Sequence, residues 1–343
     1  MSTAKALLCG LAILLVGVSC DQAQDRSQQI NKDPADTSNT VMDTTADLNS
    51  EIDTAEWSNF NSENAFLGLG NPEFGDLDSM VVRRRIRVLV PYTQVYFTID
   101  LKKRSGIAYE ALELFETDLN KRLHLKPRQV RIIFIPVNRQ QIIPLLRAGY
   151  ADLAFAGMTI TEERKELVDF SIPSITGLKE IIVGGPTAPK LNSLADLSGK
   201  EIYLREGSSY ESAAMKLNDS LKTKELKPVI IKPLDPYLES EDILEMVNSG
   251  VIPYTAQVED VARLWSHVMP NLVLYDTIPL ATNISYGWLF RKESPKLKGV
   301  VDQFLLRYKK GTKGGNMLYD KYVKSARLLP KIYSKNSFSD VNV

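Results

Sequence analysis

The run Ala156-Gly157-Met158-Thr159-Ile160-Thr161-Glu162-Glu163-Arg164, followed by Val168-Asp169-Phe170-Ser171, decides how this 343-residue chain is read. Residues 152–156 form a short apolar stretch of the buried-strand kind, which delivers Gly157 to the strand's carboxyl edge. A residue without a side chain at that edge allows close backbone approach by a ligand. Thr159 offers a hydroxyl and an amide N–H, and Thr161 stands where a helix N-cap belongs. Arg164 then falls in the first helical turn, near the positive end of the dipole. A cation is ill-placed there unless an anion compensates it, and a planar guanidinium suits a carboxylate bidentately. The competing reading is a surface arginine answering Glu162, Glu163 or Glu166.

Outward from this run, strand and helix signals alternate. Upstream, 86–90 is β-rich and ends at Pro91, and 109–123 places Leu112, Phe115, Leu119 and Leu123 on one helical face. Residues 131–137 (RIIFIPV) form the next strand. Asn138 caps a helix carrying Ile142, Ile143 and Leu146, in which Pro144 predicts a kink, and Gly149 ends it. A βαβα series of this kind implies a parallel sheet covered by helices. The pattern restarts after Gly184-Gly185-Pro186, with strands over 200–204, 229–232, 252–257 and 285–291. Helices follow over 210–217, from Ser240 through Val247, over 259–268, and from Ser294-Pro295 to Gly311.

The architecture expected is α/β with two lobes, each a mostly parallel sheet flanked by helices. Lobe 1 comprises 81–182 and 279–330 and lobe 2 comprises 183–278, with crossovers near 181–184 and 277–281 and a tail over 331–343. A ligand belongs in the cleft between lobes, beyond the carboxyl ends of the strands.

The first eighty residues are of another character. One cation precedes a 13-residue apolar run over 6–18, and Val18-Ser19-Cys20 follows. As a helix that run covers about 20 Å, short of the roughly 30 Å hydrocarbon core, and reads as the h-region of a secretory signal. The small residues before Cys20 resemble the lipobox of bacterial lipoproteins, which implies an acylated cysteine at the mature N-terminus. An ordinary signal peptide with a chance cysteine is the alternative. With Cys9 removed and Cys20 lipidated, no thiol is left for catalysis or metal binding. Residues 21–80 hold too few apolar side chains to build a core and are expected to be a disordered tether, about 40 Å in root-mean-square span. Within it, 66–74 is the one stretch expected to dock locally. The zero net charge hides a split: 13 acidic and 2 basic residues over 21–80, net −11, against 29 acidic and 39 basic over 81–343, net +10. The basic residues are scattered, which suits a small anionic ligand better than nucleic acid.

In the second lobe, Arg205-Glu206-Gly207-Ser208-Ser209-Tyr210 runs from a strand into a helix start, where exposed N–H groups favour an anionic or carbonyl group and Ser208 and Ser209 are donors. A plain serine cap is the bland alternative. Tyr92, Tyr96 and Phe97 follow the first strand, where they would wall the cleft against apolar ligand surface. Aromatics at a strand end also serve as core.

The run AGMTITEERKELVDFSIP resembles the signature of extracellular solute-binding proteins of family 3. The blocks RVLVPYTQVYFTID, RSGIAYEALELFE, SSYESAAMKLN, EDILEMVNSGVIPYT, GWLFRKESPKL and KKGTKGGNMLYDKYV resemble the solute-binding regulatory domain of the membrane-bound lytic murein transglycosylase F family. The resemblance covers about residues 83–324. It implies a class II periplasmic-binding-protein fold in which Arg164 holds a ligand carboxylate, assisted by Gly157 and Thr159. It also implies an exported protein facing the periplasm from the cell membrane or outer membrane. The partner implied is an ABC-type permease or a cell-wall lytic enzyme. One position departs from the family pattern: Val258 stands where family members place an Asp that pairs with the ligand ammonium. A valine supplies no countercharge, so a standard amino acid would leave its ammonium poorly compensated, and a peptide-like ligand or a degenerate site is expected instead.

Chemistry is not expected. Only His124 and His267 are available as imidazole bases, both in helical, partly apolar text, and two histidines are too few for a His-based metal site. The 19 residues after Lys324 are too few for a separate lytic domain. Neither a metal nor a cofactor is implied. A dehydratase-type enzyme on the same fold is the remaining catalytic alternative.

Overall fold

The computed structural model describes residues 70–100 and 103–329. The signal segment, Cys20, residues 21–69 of the expected tether and the tail 331–343 lie outside the described residues. Helix α1 (Leu77–Arg83) leads into β1 (Arg85–Pro91), a small hairpin of β2 (Thr98–Asp100) and β3 (Lys103–Ser105), and α2 (Ile107–Arg122). Then come β4 (Arg131–Val137), α3 (Arg139–Arg147), β5 (Leu153–Thr159), the short α4 (Glu162–Leu167) and β6 (Asp169–Phe170). β7 (Ile175–Gly184) leaves this half. Beyond it are β8 (Glu201–Arg205), α5 (Ser209–Thr223), β9 (Ile230–Leu234), α6 (Ser240–Asn248), β10 (Tyr254–Val258), α7 (Glu259–Ser266) and β11 (Val273–Tyr275). β12 (Ala281–Phe290) returns to the first half, where α8 (Pro295–Tyr308) and α9 (Lys313–Tyr322) close the fold.

The main sheet runs β10-β7-β12-β5-β1-β4, with β11 on β7 and β6 on β12. β4, β1 and β5 are parallel, as the βαβα pattern requires, and so are β8 and β9. β7 and β12 run antiparallel to their neighbours and join the halves. β12 pairs with β5 through Tyr286–Phe290 and with β7 earlier along its length, at Ala281, Ile284 and Tyr286. The passage into the second half is therefore spread along β7. Ile182 and Val183 already pair with Ala256 and Thr255 of β10, whereas the sequence reading put the crossover at 181–184. Nothing in the continuous apolar text of 181–183 marks where one half gives way to the other. The largest apolar cluster also spans both halves, from Phe97, Phe115 and Trp288 to Ile243, Val247 and Trp265.

The expected tether boundary at residue 80 is corrected. α1 belongs to the body: Leu77 and Met80 are buried. Asp76 holds the segment in place by capping two helices at once. Its Oδ1 accepts from Leu77 N at 2.7 Å and from Leu297 N at 2.9 Å, and its Oδ2 accepts from Lys296 N at 2.7 Å. A carboxylate at two helix N-termini satisfies orphan N–H groups and two dipoles together. Glu73 N donates to Gly149 O at 2.8 Å, and Arg291 lies over the Phe74 ring. The acidic text that reads as solvated chain is here the docking chemistry.

Candidate functional site

Strand ends of both halves converge on one cleft of about 750 Å³, partly open to solvent. From the first half come Thr93, Val95 and Tyr96 after β1, Arg139 and Gln140 after β4, Gly157–Thr159 at the end of β5, and Arg164 of α4. From the second come Arg205–Tyr210 between β8 and α5, Ser240 and Glu241 at the start of α6, and Gln257 at the end of β10. Tyr286 of β12 lines it where the halves meet. Sheet carboxyl ends supply most of the lining, as an α/β site requires.

Seven of the eight ligand-binding residues read from the sequence meet here: Gly157, Thr159, Arg164, Arg205, Ser208, Ser209 and Tyr96. Tyr92 does not. It is 54% exposed and lines no part of the cleft, and Phe97, also expected on the wall, is buried in the apolar core instead. Gly157 is needed, but for another reason than ligand approach. Its φ is +59°, and a Cβ there would sit 1.7 Å from the Tyr96 hydroxyl. The tyrosine, not a ligand, occupies the space that glycine leaves. Replacing Gly157 with Ala is expected to cost at least about 1 kcal/mol through the positive φ and to displace Tyr96, measurable as a lower urea midpoint and altered tyrosine fluorescence.

Arg164 bridges the halves. Thr161 caps α4, its hydroxyl accepting from Arg164 N at 3.3 Å. The guanidinium donates through Nη1 to Thr159 O at 2.9 Å and through Nη2 to Gly207 O at 3.3 Å. No ion pair joins it to Glu162, Glu163 or Glu166 among the described residues, so the surface-pair alternative is set aside. Burial pushes its pKa down, against the opposing fields of Tyr286 and Glu180. Ser208 takes the bland role: it caps α5, accepting from Glu211 N at 3.4 Å. Ser209 faces inward, 3.1 Å from the Thr159 hydroxyl, and donates to Glu180 Oε1 at 2.6 Å.

Several polar groups at or beside the cleft escaped the sequence reading, among them Arg139, Glu239, Glu241 and Gln257. Arg139 pairs with Glu239 across the cleft, donates to Ala156 O at 3.1 Å and lies over the Tyr96 ring at 4.9 Å. Glu239 also lies 3.6 Å from Arg205. Burial, with the nearby charge of Arg139, pushes Arg205 down to about 10. Glu241 accepts from Gln94 N at 3.2 Å, a further tie between halves. Gln257 accepts from the Tyr210 hydroxyl at 2.6 Å and from Val258 N at 2.9 Å, which fixes the floor of the second half. None of these carries a local signal, since the partners lie far apart in the chain. The arrangement can hold an anion: three guanidiniums, Arg139, Arg164 and Arg205, face one space. His124 and His267 line none of it.

Val258 is buried and packs with Leu178 and Tyr286. Behind it an apolar recess of about 500 Å³ reaches Phe155, Tyr319 and Trp288, whose buried indole Nε1 has no hydrogen-bond partner.

The family model described as bacterial extracellular solute-binding proteins, family 3, matches residues 86–325. The membrane-bound lytic murein transglycosylase F of Idiomarina loihiensis is 25% identical over 220 residues, 64% of this chain and 45% of that protein. The chain thus spans about half the length of this relative. A probable histidine-binding protein of Campylobacter jejuni is 28% identical over 190 residues, 55% of this chain and 68% of that protein. Among solved structures, an ancestral arginine-binding protein bound to glutamine superposes with TM-score 0.56 at 25% identity, covering 71% of this chain and 99% of the other. An ancestral amino-acid-binding protein described as a precursor of cyclohexadienyl dehydratase gives TM-score 0.55 at 26% identity, covering 72% and 99%. The two-lobed fold is that of the periplasmic binding proteins, with a sheet that is mixed where β7 and β12 cross.

Proposed function

The chain belongs to the bacterial extracellular solute-binding proteins of family 3, and from that premise we propose that its cleft captures a small carboxylate-bearing ligand, an amino acid or peptide-like molecule, by closure of one half on the other. The observation that carries this reading is Arg164. It is a half-buried guanidinium that donates to two backbone carbonyls, one from each half, so it offers a ligand carboxylate a charge that no protein anion pairs among the described residues. The Thr159 hydroxyl sits beside it as a donor, while the proton of Ser209 is committed to Glu180. Arg139 and Arg205 add positive field that Glu239 offsets only in part.

Delivery to an ABC-type permease from a lipid anchor at Cys20 fits the amino-acid-binding neighbours. A second reading, a non-catalytic sensor of cell-wall peptides acting on a lytic enzyme, is favoured by the likeness to part of transglycosylase F. Neither reading includes turnover: the imidazoles lie away from the cleft, and Glu239 and Glu241 are engaged in contacts between the halves.

A thermal-shift panel of the twenty L-amino acids, short D- and L-peptides and muropeptides tests the proposal. A true ligand at a hundredfold excess over its Kd adds about 2.7 kcal/mol to stability, raising Tm by roughly 5–10 °C. A shift with amino acids supports capture for uptake, and a shift confined to muropeptides supports the sensor. No shift across the panel would remove both.

A further inference from the structure

We propose that the apolar recess behind Val258 is a second subsite of the cleft. It takes a short apolar arm of the ligand whose carboxylate Arg164 holds, so that carboxylates with alkyl arms are chosen over those with polar ones. This rests on the carboxylate-capture reading above and names the ligand class within it. The recess opens from the cleft itself: Val95, Tyr96, Gly157, Val261 and Tyr286 line both spaces. Tyr286 places the opening beside the carboxylate seat, since its field reaches Arg164. Deeper in, the wall is made chiefly by Ile175 and Leu178 of β7, Val258 at the end of β10, Phe155 of β5 and Trp288 of β12.

The chemistry of that wall decides what fits. Among the described residues, none of those lining the recess is charged. The hydroxyls of Ser174 and Tyr319 are committed, donating to Tyr286 O at 3.1 Å and to Asp260. A charged or hydroxylated arm entering here would give up its water and find few partners, which costs free energy. Each methylene moved from water into the recess instead raises affinity about fourfold. The cleft carries the opposite chemistry, with Arg139, Arg164 and Arg205 around one space. A ligand with an acid at one end and a few carbons at the other matches both spaces. An arm lodged in the recess meets Phe155 of the first half and Val261 of the second, so both halves enclose it.

Calorimetry on the full chain tests this with glycine and both enantiomers of alanine, valine and threonine, each free and N-acetylated. In whichever form binds, affinity is expected to rise about fourfold per added carbon from glycine through alanine to valine. Valine should also bind about tenfold or more tightly than threonine, which has the same shape with a hydroxyl in place of a methyl. Val261→Phe, which fills the junction of the two spaces, should erase the rise and hold valine no more tightly than glycine. If that variant melts lower than the parent, Val258→Thr carries the test: it keeps the shape of the wall, adds a hydroxyl, and should narrow the gap between valine and threonine about threefold or more. Flat affinity along the series, threonine held as tightly as valine, a rise that survives Val261→Phe, or a gap that Val258→Thr leaves intact would overturn the subsite and leave carboxylate capture standing. So would a parent that binds a polar or charged amino acid and none of these probes. A parent that binds no carboxylate at all takes carboxylate capture down, and the subsite with it.

Discussion

An Arg164→Ala protein is expected to bind the carboxylate-bearing ligand proposed for this cleft on the order of 2–5 kcal/mol more weakly than the parent, mostly through faster dissociation. The magnitude follows from burial. A guanidinium and a carboxylate held together away from water form charge-assisted hydrogen bonds about twice as strong as neutral ones. Removing the guanidinium leaves the ligand's carboxylate desolvated without a partner, and that penalty dominates. The fold itself should change little, since the lost donors serve only Thr159 O and Gly207 O beside an open cleft. Arg164→Lys separates charge from geometry: a lysine keeps the cation but has no planar fork, so it should recover only part of the loss. Calorimetry gives the affinity and stopped-flow fluorescence gives the off-rate. Parent-like affinity in Arg164→Ala would end the assignment.

Elements whose reasons are local were legible in the sequence. The strand over 131–137 is observed with the same bounds, and the helix after it starts with Asn138 and Gln141 in a reciprocal cap. Pro144 sits inside that helix as expected. Elements whose reasons are distant were not legible. α1 is too short to show periodicity, and it exists because Asp76 meets a helix more than two hundred residues later. The site divides the same way. Gly157, Thr159 and Arg164 lie within eight residues and were found together. Arg139 and Glu239 come together beside the cleft only when strands far apart in sequence are laid side by side. At Gly157 the sequence suggests room for a ligand, whereas the space its missing side chain leaves is filled by Tyr96.

The same contrast sets the largest stability effect, at the opposite end of β5 from the cleft. Asp152, fully buried, accepts from Arg83 Nη2 at 2.6 Å, Arg87 N at 2.9 Å, Arg87 Nη2 at 3.0 Å and Arg291 Nη2 at 3.4 Å. One carboxylate thus ties α1, β1 and the end of β12 to the start of β5. Asp152→Ala should destabilise the protein by about 3–5 kcal/mol, because three guanidiniums would then face one another with, among the described residues, only the partly exposed Glu73 to answer them. That is a large part of the roughly 5–15 kcal/mol that holds a domain folded. Arg85→Ala, at the exposed rim of the same cluster, should stay within about 0.5 kcal/mol. The pH dependence has a definite sign. Burial alone would raise the Asp152 pKa, but the hydrogen bonds and charge of Arg87, with Arg83, outweigh it and hold the carboxyl below its ordinary value. A carboxyl depressed in the folded state contributes stability that is complete above the unfolded value of about 3.9 and is lost as pH falls through the folded value. The gap in urea midpoint between parent and Asp152→Asn should therefore be level from about pH 7 down to pH 5 and narrow below pH 4. A gap under about 1 kcal/mol at neutral pH, or one that widens in acid, would show that the arginines find their compensation elsewhere.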